Sequence, residues 1–598
     1  MPTPERRWLR TFAFDPMSTR LTGRYLRLDI PYEDLRPGPI GQVVQVVDYD
    51  PVRKVWYSPL DLSDPSTLAQ DGLRPSESDP RAHQQVVYAV AMSVTERFER
   101  FLGRRFSWHQ QKPLRLVPHA FGGRNAYFDP RRRAILFGYY PADETSPGAN
   151  LPGQMIFSCL SSDIIAHEVT HAIVHRLRRH YSEATNIDVL AWHEAFADLV
   201  ALFQHFIHRD VLVAAVAATS GDLLKGGGLL DLAAEFGESS GMGKALRSVA
   251  DVKPDPLAFA ATREPHARGA IFVAAVFDAY MAAYQDAIAD LLRIATGGTG
   301  VLPPGRLHPD LVNRVADEAA RMADRFLGMV IRAFDYLPVV DVDFGDVVRA
   351  IVTADYELFP GDTNQLRSRL VEALRRRGIY PRPVSSLADD ALRWPAPTEE
   401  LTLGAIDVAA AVHEETRRLN RTRITQTAQS GTEVANARRL AADLNQWATD
   451  HAPEIGLEPG AAIAVIGVHA TYRQGENHQP RPEVVVQFGQ RRDDLENPDL
   501  DRRKRVAVRA GTTLIADLEG RIKYVVAKPL PTRDPASLPN DPNDPGCRND
   551  KLGRARLERL EAWMEQLETV NALSPWTSEP ALLRLDFAAL DCADYGEW

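Results

Sequence analysis

Apolar and polar positions change rhythm several times along the chain. Residues 1–24 hold no sustained period and read as an irregular tail. From Arg24 to Tyr57 short apolar runs, RYLRLDI, QVVQVVDYD and KVWY, are split by PGPIG and predict β-strands. Residues 83–102 switch to a helical period, with Val87, Ala91, Val94, Phe98 and Phe101 on one face. LRLVP, NAYFDP and AILFGYY return to strand character, and from Asp163 to about Ala373 helix dominates. WPAPTEE, residues 394–400, predicts a linker. Beyond it, residues 433–449 form an amphipathic pattern with Ala437, Leu440, Ala441, Leu444 and Ala448 on one face. AAIAVIGVHATY, EVVVQFG, TTLIADL and IKYVVA then read as strands, and residues 551–570 as a last helix. The fold class this predicts is α+β: a β-rich part over 25–162, a helical part over 163–393, and a separate α/β accessory domain over 401–598.

Chemistry concentrates where the helical part begins. In SSDIIAHEVTHAIVHRL, His167, Glu168 and His171 form HExxH. Residues i and i+4 share a helix face, so both imidazoles can meet one ion. Glu168 is rotated by about 100° from His167 and can reach a water beside that ion without ligating it. A general base acting on zinc-bound water needs that placement. Two histidines on a buried helix face can instead be satisfied core residues, the less favoured of the two readings. The downstream stretch WHEAFADLVALF tips the balance, because Glu194 and Asp198 are again four apart. A catalytic zinc takes three protein ligands and a water, so Glu194 can be the third. Asp198 can accept the remaining ring N–H of a ligand histidine. Phe196, Leu199, Val200 and Leu202 make this helix apolar, where an uncompensated carboxylate is costly and a metal removes the penalty.

HEVTH followed by HEAFAD resembles the thermolysin-like gluzincin metallopeptidases, which carry HExxH and a downstream ExxxD. The likeness runs from about residue 24 to about 390. It implies two lobes, one β-rich and one helical, with the zinc helix between them. It implies Zn2+ on His167, His171 and Glu194, Glu168 as catalytic base and Asp198 behind a ligand. It further implies that Asn125 and the Ala126 backbone, in NAYFDPRRRAILFGYY, hold an extended peptide or protein substrate by strand addition. Arg247, in KALRSVAD, would bind a substrate carbonyl. His266, in EPHARGAIFVAAVFDAY, would stabilise the oxyanion, with Tyr181 beside it. Ile164 and Leu246 would line an apolar pocket for the residue after the cut. The family's open cleft implies an endopeptidase. The sequence also departs from the pattern. The gap from His171 to Glu194 is a few residues longer than is typical of the family, and the sequence is expected to lack the family's propeptide and secretion signal. Asp163 matches a structural Ca2+ ligand, but the acidic cluster expected after Asp198 is replaced by QHFIHRDVLV.

Composition narrows the remaining classes. Apolar residues make up 44% and charged residues 25% of 598, as in soluble globular proteins. A net charge of -10 argues against a dedicated nucleic-acid or anionic-membrane binder. Cys159, Cys547 and Cys592 lie far apart without a CxxC pair, which predicts free thiols rather than a disulfide framework or a thiolate cluster. The N-terminus lacks an apolar signal region, and the longest strongly apolar run, Val211–Ala218, falls short of the roughly 20 residues a bilayer span needs. The expectation is a cytoplasmic protein. Two other readings compete. GESSG at 237–241 fits the serine-hydrolase elbow, but LLDLAAEF before it looks helical where a strand is required, so Ser239 reads as a loop serine. A non-catalytic, zinc-containing binding or scaffold protein would not need Glu168. His175, His180 and His193 read as helix-surface or core histidines, and RRDDLENPDLDRRKR as a solvated loop.

Overall fold

A computed structural model describes residues 4–17, 25–108, 112–206, 208–225, 229, 231–232, 247–248, 252–302, 305–397, 399–404, 406, 431–475, 479–495 and 508–570. Ser239, Leu246 and most of the mixed-charge stretch after Arg491 lie outside them, and of Arg247 only its strand pairing is described. The chain is mixed α+β. Its strands are β1 (Arg6–Phe12), β2 (Tyr25–Pro31), β3 (Val44–Val46), β4 (Tyr49–Asp50), β5 (Val55–Trp56), β6 (Leu114–Gly122), β7 (Ala126–Asp129), β8 (Ala134–Pro141), β9 (Met155–Phe157), β10 (Asp231–Leu232), β11 (Arg247–Ser248), β12 (Ile463–Gln474), β13 (Pro480–Arg491), β14 (Arg509–Ala516) and β15 (Ile522–Lys528). Helices of ten residues or more are α1 (Pro80–Leu102), α2 (Ser162–Leu177), α3 (Ile187–His205), α4 (Arg209–Thr219), α5 (Pro265–Ala295), α6 (Pro309–Arg332), α7 (Phe344–Leu358), α8 (Leu366–Arg375), α9 (Gly431–Asp450) and α10 (Pro545–Val570).

The N-terminal part is built on a mixed sheet in the order β3-β6-β8-β7, with β9 extending along β8. β3, β6 and β8 run parallel, while β7 and β9 pair antiparallel with β8. β7 thus ends the strand order, and it lies against α2. The residues predicted as a tail behave differently: β1 pairs with β2 along its full length. Its alternation is disguised, because Arg7, Leu9 and Thr11 turn inward while Trp8 is 40% exposed. The Arg7 guanidinium stacks over the Tyr32 ring, which gives a buried charge an aromatic partner.

Helix ends follow local chemistry. Asp79 caps α1, with Pro80 at its first position. Gly103 closes α1 at φ 68, where a side chain would also meet the Tyr472 carbonyl. Ser161 caps α2 and Asn186 caps α3. One core cluster runs from Leu9 through the helices to Ile379 and Leu392, so no break in packing separates the β-rich and helical parts. α5 is long and apolar enough to cross a membrane, but 72% of that window is buried inside the protein. Asp278 interrupts its apolar run, so no continuous stretch of that length stands in the sequence.

The C-terminal sheet is a meander, β12-β13-β14-β15, antiparallel throughout, so this part is α+β rather than α/β. One face builds its own core with Leu444, Trp447 and Ala448 of α9, together with Val484, Val486 and Phe488. From the other face Val485, Ile515 and Tyr524 enter the main core. The region predicted as a separate domain is therefore a layer packed onto the helices. Buried charges seal the contact. Arg104 donates twice to Asp335 at 2.8 Å, Arg473 pairs with the same carboxylate, and His469 stands 3.3 Å away. Burial alone would raise the Asp335 carboxyl, but the Arg104 and Arg473 guanidinium groups, with a hydrogen bond from His469, hold it far below the usual carboxylate range. Tyr336 donates to Glu483 at 2.7 Å.

Candidate metal centre

α2 and α5 both pack on α3, and this trio of helices creates the site. Gly269, one turn into α5, permits the close approach: a Cβ there would lie 2.8 Å from the Ala191 carbonyl oxygen and 3.1 Å from the Ala195 nitrogen. Arg268 fixes the register by donating to Asp188 at 2.6 Å. Glu264 caps α5, accepting from the His266 backbone at 3.0 Å.

His167, His171 and Glu194 converge from α2 and α3. Their donor atoms stand 2.9 Å apart for His167 Nε2 and His171 Nε2, 3.3 Å for His167 Nε2 and Glu194 Oε2, and 3.5 Å for His171 Nε2 and Glu194 Oε1. Zinc bonds of about 2.0–2.1 Å in tetrahedral array place ligand atoms about 3.3 Å apart. The residues therefore fit the ion on both donor chemistry and spacing. A Glu168 carboxylate oxygen lies within 4.8 Å of donor atoms on both histidines. All four side chains are buried.

The second ring nitrogens are also engaged. Asp198 Oδ1 is 3.0 Å from His167 Nδ1. His193 Nδ1 is 2.9 Å from His171 Nδ1. Burial pushes His193 down to about 3, so it is neutral and can accept the His171 proton. Burial also carries His171 well below its ordinary value. Burial would raise Glu194, but His266 and His171 outweigh it and keep the carboxyl well below the ordinary range. Neutral histidine and ionised glutamate are the forms that bind a metal. His193, read from sequence as a bland histidine, is thus the group that orients His171; its position next to Glu194 in WHEAF was the available signal.

His266 reaches the same centre. Its Nε2 is 3.2 Å from Glu194 Oε2 and its Nδ1 is 3.0 Å from Glu264 Oε1. Tyr181 does not join the site. It sits in a short 3₁₀ turn, fully buried, and its hydroxyl donates its only proton to the Pro338 carbonyl at 2.6 Å, leaving none for an oxyanion. Asn125 and Ala126 are buried at the start of β7, and Ile164 in the first turn of α2. Asp163 is matched to a histidine from the stretch that lacks the acidic cluster: His205 Nε2 bonds its carboxylate, and His205 Nδ1 is 3.2 Å from the Leu229 carbonyl. Burial opposes charge on His205, yet these acceptors outweigh it and raise its pKa. Asp163 thereby favours the protonated form of the His205 ring.

No family model matches the chain, and no curated protein matches it. Function must be argued from the centre itself.

Proposed function

We propose that the chain is a zinc-dependent metallopeptidase of thermolysin-like, two-lobed type, acting as an endopeptidase on extended peptide segments. The observation that carries the reading is the joint arrangement of His167, His171 and Glu194 at tetrahedral spacing with Glu168 beside them and Asp198 behind. A zinc ion there would supply Lewis acidity and lower the pKa of a bound water towards about 7. Glu168 takes the proton of the attacking water and delivers it to the leaving amine. Glu264 holds His266 through Nδ1, so that Nε2 faces the centre 3.2 Å from Glu194 Oε2, from where it would turn to the developing oxyanion. Asp198 and His193 keep the ligand rings in place. The outer edge of β7 offers backbone groups to an added substrate strand, with Asn125 and Ala126 at its start. A binding or scaffold protein would need the ligands alone; the buried Glu168 next to them favours catalysis.

The test is metal removal. A chelator should abolish cleavage of an unfolded protein substrate, and zinc added back should restore it. Cleavage indifferent to chelation, and blocked instead by a serine-directed probe, would refute the proposal.

A further inference from the structure

A second group of metal-type ligands lies inside the N-terminal part, away from α3 and α5. His83 comes from the first turn of α1, His119 from β6, and Cys159 from the 3₁₀ turn Ser158–Leu160. We propose that these three residues form a second metal-binding site, built for zinc. His83 Nδ1 stands 2.9 Å from His119 Nε2 and 3.7 Å from Cys159 Sγ, and the three donor atoms all lie within 4.8 Å of one another. A tetrahedral zinc with bonds of about 2.0–2.1 Å to nitrogen and about 2.3 Å to sulfur separates nitrogen pairs by about 3.3 Å and nitrogen–sulfur pairs by about 3.6 Å.

The surroundings are those of a metal ligand set. His119 turns its other nitrogen to Asp48, 2.6 Å away, a carboxylate–histidine arrangement that orients the ring and strengthens the donor. Gln84 donates to the second oxygen of Asp48 at 2.8 Å and fixes it in turn. All three ligands are at most 1% exposed. Tyr57 and Phe157 wall the histidines at ring distances of 4.7 Å. Such enclosure makes Cys159 unsuited to attack a substrate. A divalent ion there would balance one thiolate and the Asp48 carboxylate. Binding requires Cys159 to release its thiol proton, which a coordinating cation brings about. Mixed sulfur and imidazole donors select zinc-like ions over calcium or magnesium. The turn that carries Cys159 runs directly into Ser161, the cap of α2. A metal here would pin α1, β6 and the entry to the helix bearing His167.

The test uses the full chain loaded with Zn2+ or Co2+. Metal analysis should find two equivalents of zinc per chain. The Co2+ form should show the near-ultraviolet thiolate-to-cobalt absorption, since the centre on α2 and α3 has no sulfur ligand. Cys159→Ser should lose that band and one equivalent of metal. The band should survive in a Cys547→Ser, Cys592→Ser chain and in a His167→Ala, His171→Ala chain, which separates this site from the proposed catalytic one. A wild-type chain without the thiolate band would overturn the proposal, whether or not the variants fold; the cluster would then be a hydrogen-bonded relay from His83 through His119 to Asp48.

Discussion

Replacing Asp198 by alanine isolates what holds the proposed metal ligands in place. Its carboxylate is 3.0 Å from His167 Nδ1 and both side chains are buried. A hydrogen bond to a charged partner contributes about 1.5–3 kcal/mol. Loss of an outer partner of a ligand histidine typically weakens metal binding about 10–100-fold, or about 1.4–2.8 kcal/mol. The two routes agree, so Asp198→Ala should weaken zinc binding by one to two orders of magnitude, in the range of about 10–100-fold. Asp198→Asn keeps an acceptor but loses the charge and should fall between alanine and wild type. The assay is competition for zinc against a chromogenic chelator, with circular dichroism showing that each variant is folded. Because a Cys159-dependent zinc could contribute, the comparison belongs in a Cys159→Ser background. A folded Asp198→Ala chain that binds zinc within about twofold of its parent, against the expected loss, would refute the reasoning.

Three substitutions test the packing. Gly269→Ala should force α5 off α3, costing about 1–3 kcal/mol in urea unfolding and lowering turnover more than zinc content, because His266 moves while the ligands stay. His205→Leu leaves the buried Asp163 carboxyl without its histidine partner and should destabilise the chain by about 1–3 kcal/mol. Since the folded pKa of His205 is raised above its ordinary 6.5, that pair contributes fully below the unfolded value and fades as pH rises through the folded one; the gap between wild type and His205→Leu in urea midpoint should therefore narrow at alkaline pH. Asp335→Ala strands Arg104 in the interior and leaves Arg473 with Glu483 alone, so it should cost about 3–5 kcal/mol.

Much of the centre could be read in advance, and the reason is helical geometry. HEVTH and HEAFAD each fix two side chains on one face by spacing alone, so His167, His171, Glu194 and Asp198 needed only the two helices to meet. Tyr181 shows where spacing fails: a 3₁₀ turn aims its hydroxyl at Pro338, and nothing in the order of residues states that direction. β1 escaped because it buries Arg7 and Thr11 and exposes Trp8, the reverse of the usual pattern. β13 buries a continuous run from Glu483 to Gln490, which a strand does when both faces are covered, yet its partners on the second face are distant in sequence. His83, His119 and Cys159 are likewise brought together from three elements, so no local motif announces them.

The central claim is that Glu168 works on a water held by the His167, His171 and Glu194 centre. Wild type and Glu168→Gln, loaded to the same zinc content, should be incubated with a mixed peptide library and the products read by mass spectrometry. The account predicts cuts by wild type that vanish in the Gln variant, with bulky apolar residues favoured after the cut. Equal cutting by both chains, or none from a zinc-loaded wild type, would contradict it.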